Sequence, residues 1–343
     1  MPTPAPAPTP CRKYRRTTGH PPPHPQTVFV PDGVGDATIA NLTFGNTFQA
    51  ITATGTAITP TEGAPFTGTA ARFTDPDAAA TAGEYTATVD WGDGTPTTTG
   101  TITKTADGTF TVAGGHTYTE ESTATVTVAI RDTDNSANTA TVTTAATIGD
   151  AGLTPGSPAT ITPVEGAGFT GTVGTFTDAN PGGTTADFTA TVNWGDGTSS
   201  PGTVSGPAGG PFTVTGTHTY ADEGSHPLTV SVTDHGGAAT TLTGTATVGD
   251  AALTAAGNPN LLSTNPVTNL PIATFTDANP GGTVAGFTAT IDWGDGTPTT
   301  VGTVSGPTGG PFAVTGNHTY ATLGRKPSPC TSSTTAAPPP SAT

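Results

Sequence analysis

Apolar and polar residues alternate strictly over short stretches of this chain, the period of a strand with one buried face. In Phe188-Thr-Ala-Thr-Val-Asn-Trp194, the residues Phe188, Ala190, Val192 and Trp194 share one side, and Thr and Asn take the other. Phe169 to Asp178 precedes this run, separated from it by the turn signal Pro181-Gly182-Gly183. Thr203-Val204, Phe212-Thr-Val-Thr215, Leu228-Thr-Val-Ser-Val-Thr-Asp234 and Ala246-Thr-Val248 read as further strands. Roughly seven short strands with turns every ~8–12 residues describe an immunoglobulin-like β-sandwich.

The pattern recurs. Asp90-Trp-Gly-Asp-Gly-Thr95 returns as Asn193-Trp-Gly-Asp-Gly-Thr198 and Asp292-Trp-Gly-Asp-Gly-Thr297, placing Trp91, Trp194 and Trp293 103 and then 99 residues apart. His-Thr-Tyr follows each time, as His116 to Tyr118, His218 to Tyr220 and His318 to Tyr320. A fixed period near 100 residues means one folding unit used repeatedly. Gly-Asp-Ala marks the seams at Gly35, Gly149 and Gly249, so the expected units are 37–150, 151–250 and 251–330. Residues 1–36 form an atypical tail in which Val28 to Val34 reads as the remnant of a preceding unit's last strand, and 331–343 a second tail. After Tyr320 the expected Leu-Thr-Val-Ser-Val-Thr-Asp strand is replaced by Leu323-Gly-Arg-Lys-Pro327. The third unit therefore lacks its last two strands, which predicts an open edge, an uncovered core and marginal stability.

These blocks resemble the PKD family, the polycystic kidney disease-type repeats of bacterial surface and secreted proteins. The first unit carries Asp90 to Thr95, His116 to Tyr118 and Thr127-Val-Ala-Ile-Arg-Asp132, and the second Asn193 to Thr198, His218 to Tyr220, Gly224 and Val230-Ser-Val-Thr-Asp234. Only the first two blocks remain in the third, and the likeness spans about residues 50 to 322. It implies tandem immunoglobulin-like sandwiches with an extracellular binding or spacer role and no catalysis.

Trp beside Asp invites reading as a ligand site. The alternation instead puts Trp91, Trp194 and Trp293 in the core. Asp93-Gly94, Asp196-Gly197 and Asp295-Gly296 then read as two-residue hairpin turns. His116, His218 and His318 have no second His or Cys at ligand spacing, which favours a turn histidine hydrogen-bonded to backbone over a metal or acid–base role. With Tyr118, Tyr220 and Tyr320 these residues form a structural motif rather than a catalytic one, and no Gly-x-Ser-x-Gly elbow is present. Calcium is the one cofactor the residues raise, through Asp178 to Pro181, Asp277 to Pro280, Asp75-Pro-Asp77 and the seam residues Asp36, Asp150 and Asp250. Each cluster offers two or three side chains where Ca²⁺ takes six to eight oxygens, and Asp or Asn at turns usually bonds its own backbone, so no cofactor is assigned.

Composition sharpens this picture. Gly (47), Pro (34) and abundant Thr beside three Trp and one Met leave small, strand-built cores. Between residues 27 and 324 three basic residues, Arg72, Lys104 and Arg131, face all 25 acidic ones. Such a surface repels phosphate backbones and excludes a nucleic-acid partner. No run of 18 apolar residues predicts a membrane span. Cys11 and Cys330 lie in the tails, so no unit holds an internal disulfide. Met1 to Gln26 has basic residues but no apolar h-region, so it is not a signal peptide, although the repeats read as extracellular or cell-surface. Abrupt composition shifts at both ends suggest a fragment bounded by a wrong start or shifted frame, with genuine Pro-rich disordered tails as the alternative.

The chain thus reads as a monomeric, non-catalytic array acting as spacer or adhesive stalk of a larger protein. The alternative is an accessory module of a secreted hydrolase, bound to polysaccharide or protein.

Overall fold

The computed structural model describes residues 50–157, 159–258 and 265–321, with the backbone alone of 334–336. The Val28–Val34 strand, Asp36, Cys11, Cys330 and the remainder of both tails lie outside the described residues. Two compact units divide the chain, Met1–Gly149 and Asp150–Thr343.

In the first unit Thr- and Val-rich segments form β1 (Thr52–Gly55), β2 (Phe66–Thr74), β3 (Tyr85–Asp90), β4 (Thr98–Lys104), β5 (Phe110–His116), β6 (Ser122–Asp132) and β7 (Thr139–Ile148). They are hydrogen-bonded in the order β1-β2-β5-β4-β3-β6-β7. Two layers arise because β4 serves both: Thr98–Gly100 pair with β3, and Thr101–Lys104 with β5. The change of layer occurs at Gly100, where an added Cβ would meet Val112 Cγ1 at 2.5 Å. Side chains from both layers, among them Val89, Trp91, Val112, Val128 and Ile130, fill the space between.

The second unit holds two such sandwiches. The first comprises β8 (Leu153–Pro155), β9 (Thr160–Ile161), β10 (Phe169–Asp178), β11 (Phe188–Asn193), β12 (Ser199–Ser205), β13 (Phe212–His218), β14 (Gly224–Asp234) and β15 (Ala239–Val248). Their order is β8-β10-β13-β12-β11-β14-β15-β9, with β9 parallel to β15. Here β12 changes layer at Gly202, whose Cβ would lie 2.7 Å from Val214 Cγ1. The last sandwich comprises β16 (Leu253–Gly257), β17 (Val267–Asp277), β18 (Phe287–Ile291), β19 (Thr300–Ser305), β20 (Phe312–His318) and β21 (Thr334–Ala336), ordered β16-β17-β20-β19-β18-β21. The protein is an all-β chain of tandem immunoglobulin-like sandwiches.

The third sandwich differs from the second along one edge. All six residues of β11 pair with β14, which pairs in turn with β15 over ten residues. The corresponding edge of β18 pairs with β21 over Phe287–Ala289 alone. This was expected to be an open edge beside a tail without structure; three tail residues occupy part of it. Trp293 stays buried, whereas Phe287 and Tyr320 are half-buried where Phe188 and Tyr220 are buried.

Candidate functional site

Each sandwich carries the same cluster where β3, β11 or β18 ends. Alternation delivers the Trp to the core, with Trp91 and Trp194 at 0% exposure and Trp293 at 2%. The indole N–H donates across to the next strand: Trp91 to Thr98 Oγ1, Trp194 to Ser200 Oγ and Trp293 to Thr300 Oγ1, each at 2.9 Å. Tyrosine from the His-Thr-Tyr block donates its hydroxyl to the Trp carbonyl, at 3.1 Å for Tyr118, 3.0 Å for Tyr220 and 3.4 Å for Tyr320. Burial pushes the Tyr118 and Tyr220 hydroxyls up to about 12, with the nearby Asp93 and Asp196 carboxylates adding to the shift.

The histidine ring lies nearly parallel over the indole, at centroid distances of 5.1 Å for His116, 4.8 Å for His218 and 4.6 Å for His318. Its Nε2 meets a carboxylate from the Trp loop: Asp93 Oδ2 at 2.6 Å, Asp196 Oδ2 at 2.7 Å and Asp295 Oδ2 at 2.8 Å. The other oxygen of the same Asp accepts the backbone N–H and hydroxyl of Thr95, Thr198 or Thr297. Partial desolvation would raise these carboxyls, but at Asp93 and Asp196 the Thr and His hydrogen bonds together outweigh it. At Asp295 the Thr297 hydroxyl leads, followed by His318. All three are held below the ordinary aspartate value.

Two expectations need correction. The histidines do not bond to backbone through Nε2; they pair with the motif aspartates. Nor do the Asp-Gly pairs close two-residue hairpins. Seven residues separate β3 from β4, and five separate β11 from β12. The chain first carries Trp inward and then turns at two glycines of positive φ, Gly92 (+79°) and Gly94 (+83°), leaving Asp93 between them to brace the loop. Gly197 (+92°) and Gly296 (+83°) hold the same place as Gly94.

The cluster resembles a hydroxyl–imidazole–carboxylate relay in composition, but not in order. In a relay the hydroxyl bonds to the imidazole; here the Thr hydroxyl donates to the carboxylate. What the arrangement does is tie the Trp loop to the strand carrying the histidine.

Acidic groups gather elsewhere. In the first unit Asn138 Nδ2 bridges Asp75 Oδ2 and Asp132 Oδ2 at 3.4 and 3.3 Å. At the matching end of the second sandwich, Asp150 Oδ2 accepts the Ala238 N–H, while Asp150 Oδ1 is buried with no hydrogen-bond partner. Burial, reinforced by the Asp150 charge, raises both Asp178 and Asp234. Glu62, Glu120 and Glu121 in the first unit each place an oxygen within 4.8 Å of the others. Taken one oxygen per residue, Glu62, Glu120 and Glu121 offer a hard cation three carboxylate ligands, where Ca²⁺ takes six to eight oxygens.

No protein-family model matches the chain, and no curated protein matches it. Among solved structures it is similar to human CDH23 EC21-23, at 15% identity over 79% of this chain and 89% of that chain, with a TM-score of 0.32. It is also similar to an I-band fragment from titin, at 7% identity over 78% and 86% of the two chains and a TM-score of 0.29. The PKD domain of an M14-like peptidase from Thermoplasmatales archaeon SCGC AB-540-F20 matches 29% of this chain over 93% of its own length, at 19% identity and a TM-score of 0.20. The fold assignment rests on the strand order and pairing described above.

Proposed function

We propose that the chain is a non-catalytic, PKD-like repeat segment of a bacterial secreted or surface protein, serving as a spacer or adhesive stalk. Its folding units are taken as 37–150, 151–250 and 251–330. One observation carries the reading. In all three copies the residues best suited to chemistry hydrogen-bond within their own sandwich: the Trp N–H to Thr or Ser, the Tyr hydroxyl to the Trp carbonyl, His Nε2 to Asp. A group repeated three times in the same internal role supports construction rather than turnover. The accessory-module reading has one feature in its favour, a shallow groove of about 220 Å³ on the second sandwich lined by Ser200, Pro201, Thr203, Thr215, Gly216 and Thr217. Retention on insoluble polysaccharides separates the two. A spacer passes through unretained; saturable retention lost on Thr203→Arg would transfer the assignment to the binding module.

A further inference from the structure

The connection between the second and third sandwiches is short and bonded at both ends. Only Gly249 to Ala252 separate β15 from β16. Gly249 forms a parallel bridge with Val164, donating to the Pro163 carbonyl at 2.9 Å and accepting the Glu165 N–H at 3.0 Å. Ala251 is buried, and its N–H donates to Glu165 Oε1 at 3.2 Å. The Ala252 carbonyl accepts from Ala278 of the third sandwich at 3.1 Å. A linker behaves as flexible coil when its backbone is solvated and its side chains are free; this one is bonded first to one sandwich and then to the other.

A direct contact spans the same joint. Asn279, 3% exposed, follows β17 and donates its Nδ2 to the carbonyl of Ala221 in the second sandwich at 2.9 Å. Its Oδ1 accepts the Gly281 N–H of its own turn at 2.9 Å. The Asn279 side chain sits against Gly166 (φ +66°), where an added Cβ would fall 2.5 Å from Asn279 Oδ1. The Ala221 carbonyl and the missing side chain of Gly166 thus form a socket that Asn279 fills, and Glu165, 6% exposed and next to Gly166 in sequence, holds Ala251.

We infer that the second and third sandwiches move as one rigid body, latched by Asn279 on Ala221 and Gly166 and by Glu165 on Ala251. The latch is independent of what the chain binds, and it makes Asn279 a positioning residue rather than merely a turn former. A buried amide has to find its donor and acceptor partners or bear the desolvation cost; Asn279 finds them on opposite sides of the joint, so bending the joint breaks one of them.

The test uses the full chain with Cys11→Ser and Cys330→Ser, spin-labelled at Thr203→Cys and Thr303→Cys, exposed equivalent positions of the two sandwiches. Double electron–electron resonance is expected to give one narrow distance distribution. It should be at least twofold narrower than in a control with a six-residue Gly-Ser insert between Asp250 and Ala251. Asn279→Asp keeps the acceptor of its own turn and removes the donor to Ala221; Glu165→Ala removes the acceptor for Ala251 without substituting any residue of the third sandwich. Each should broaden the distribution while Trp fluorescence stays native. A parent distribution as broad as the insert control, or one unchanged by both variants, would overturn the inference.

Discussion

Replacing Asp196 by Asn tests whether the Trp–His–Asp cluster stabilises the sandwich. Asp196 Oδ2 lies 2.7 Å from His218 Nε2, and Oδ1 accepts the Thr198 hydroxyl at 2.6 Å and its N–H at 3.0 Å. The side chains of His218 and Asp196 are 14% and 20% exposed, so neither contact is a freely solvated surface pair. Hydrogen bonds to a charged group contribute about 1.5–3 kcal/mol, and asparagine keeps one oxygen acceptor. The expected loss is therefore about 1–2 kcal/mol, a fall of roughly 4–8 °C in melting temperature for each kcal/mol in a domain of this size. The sign with pH is set by the depressed carboxyl: its contribution is present above the unfolded aspartate value of about 3.9 and is lost as pH falls through the lower folded value. Amide exchange of β11 and β13, read by mass spectrometry at pH 7 and at pH 3, reports the second sandwich alone. A double cycle with His218→Gln should show strong non-additivity, because both changes remove the same bond. Wild-type protection in Asp196→Asn at both pH values, or strict additivity, would refute the reasoning.

Other outcomes follow from the packing. Trp194→Ala removes a fully buried indole and should cost about 3–5 kcal/mol, unfolding the second sandwich while the first unit melts unchanged; calorimetry of the full chain checks this. Gly202→Ala forces a Cβ against Val214 and Ala190 and should cost about 1–3 kcal/mol by overpacking, measured by urea denaturation. Amides of β18, paired on one edge over only three residues, should exchange faster than those of β11; equal protection would remove the case for a weakened third sandwich. Glu165 is raised by burial, with Glu223, Asp277 and Asp250 adding repulsion against the single Ala251 hydrogen bond. Its charged form is penalised above the unfolded glutamate value, so Glu165→Gln should raise the melting temperature at pH 7 and lose that gain near pH 4.

The strands were legible because a half-buried sheet imposes period two, and Phe188 to Trp194 displays it without interruption. The inward Trp followed from the same parity. The His–Asp pairing did not, because 22 residues separate Asp196 from His218, the first in the β11–β12 loop and the second at the end of β13. The signal was present nonetheless: Asp two residues after each Trp and His at the start of each His-Thr-Tyr recur together in all three copies. Asp-Gly misled because glycine at positive φ serves a wide loop as well as a tight hairpin. Asn279 looked like a turn residue; its second partner, Ala221, lies 58 positions earlier and only the fold brings it near.

The strands that change layer have a mechanical consequence. Because β4, β12 and β19 each belong to both sheets, a sandwich here is one ribbon doubled over rather than two plates held by grease. Shearing one layer past its neighbour cannot proceed by slippage of side chains alone; it has to tear a backbone ladder at Gly100, Gly202 or Gly302. The crease residues are small for packing reasons, and that same smallness makes each fold of the ribbon the point where a tensile load must be resisted by peptide hydrogen bonds.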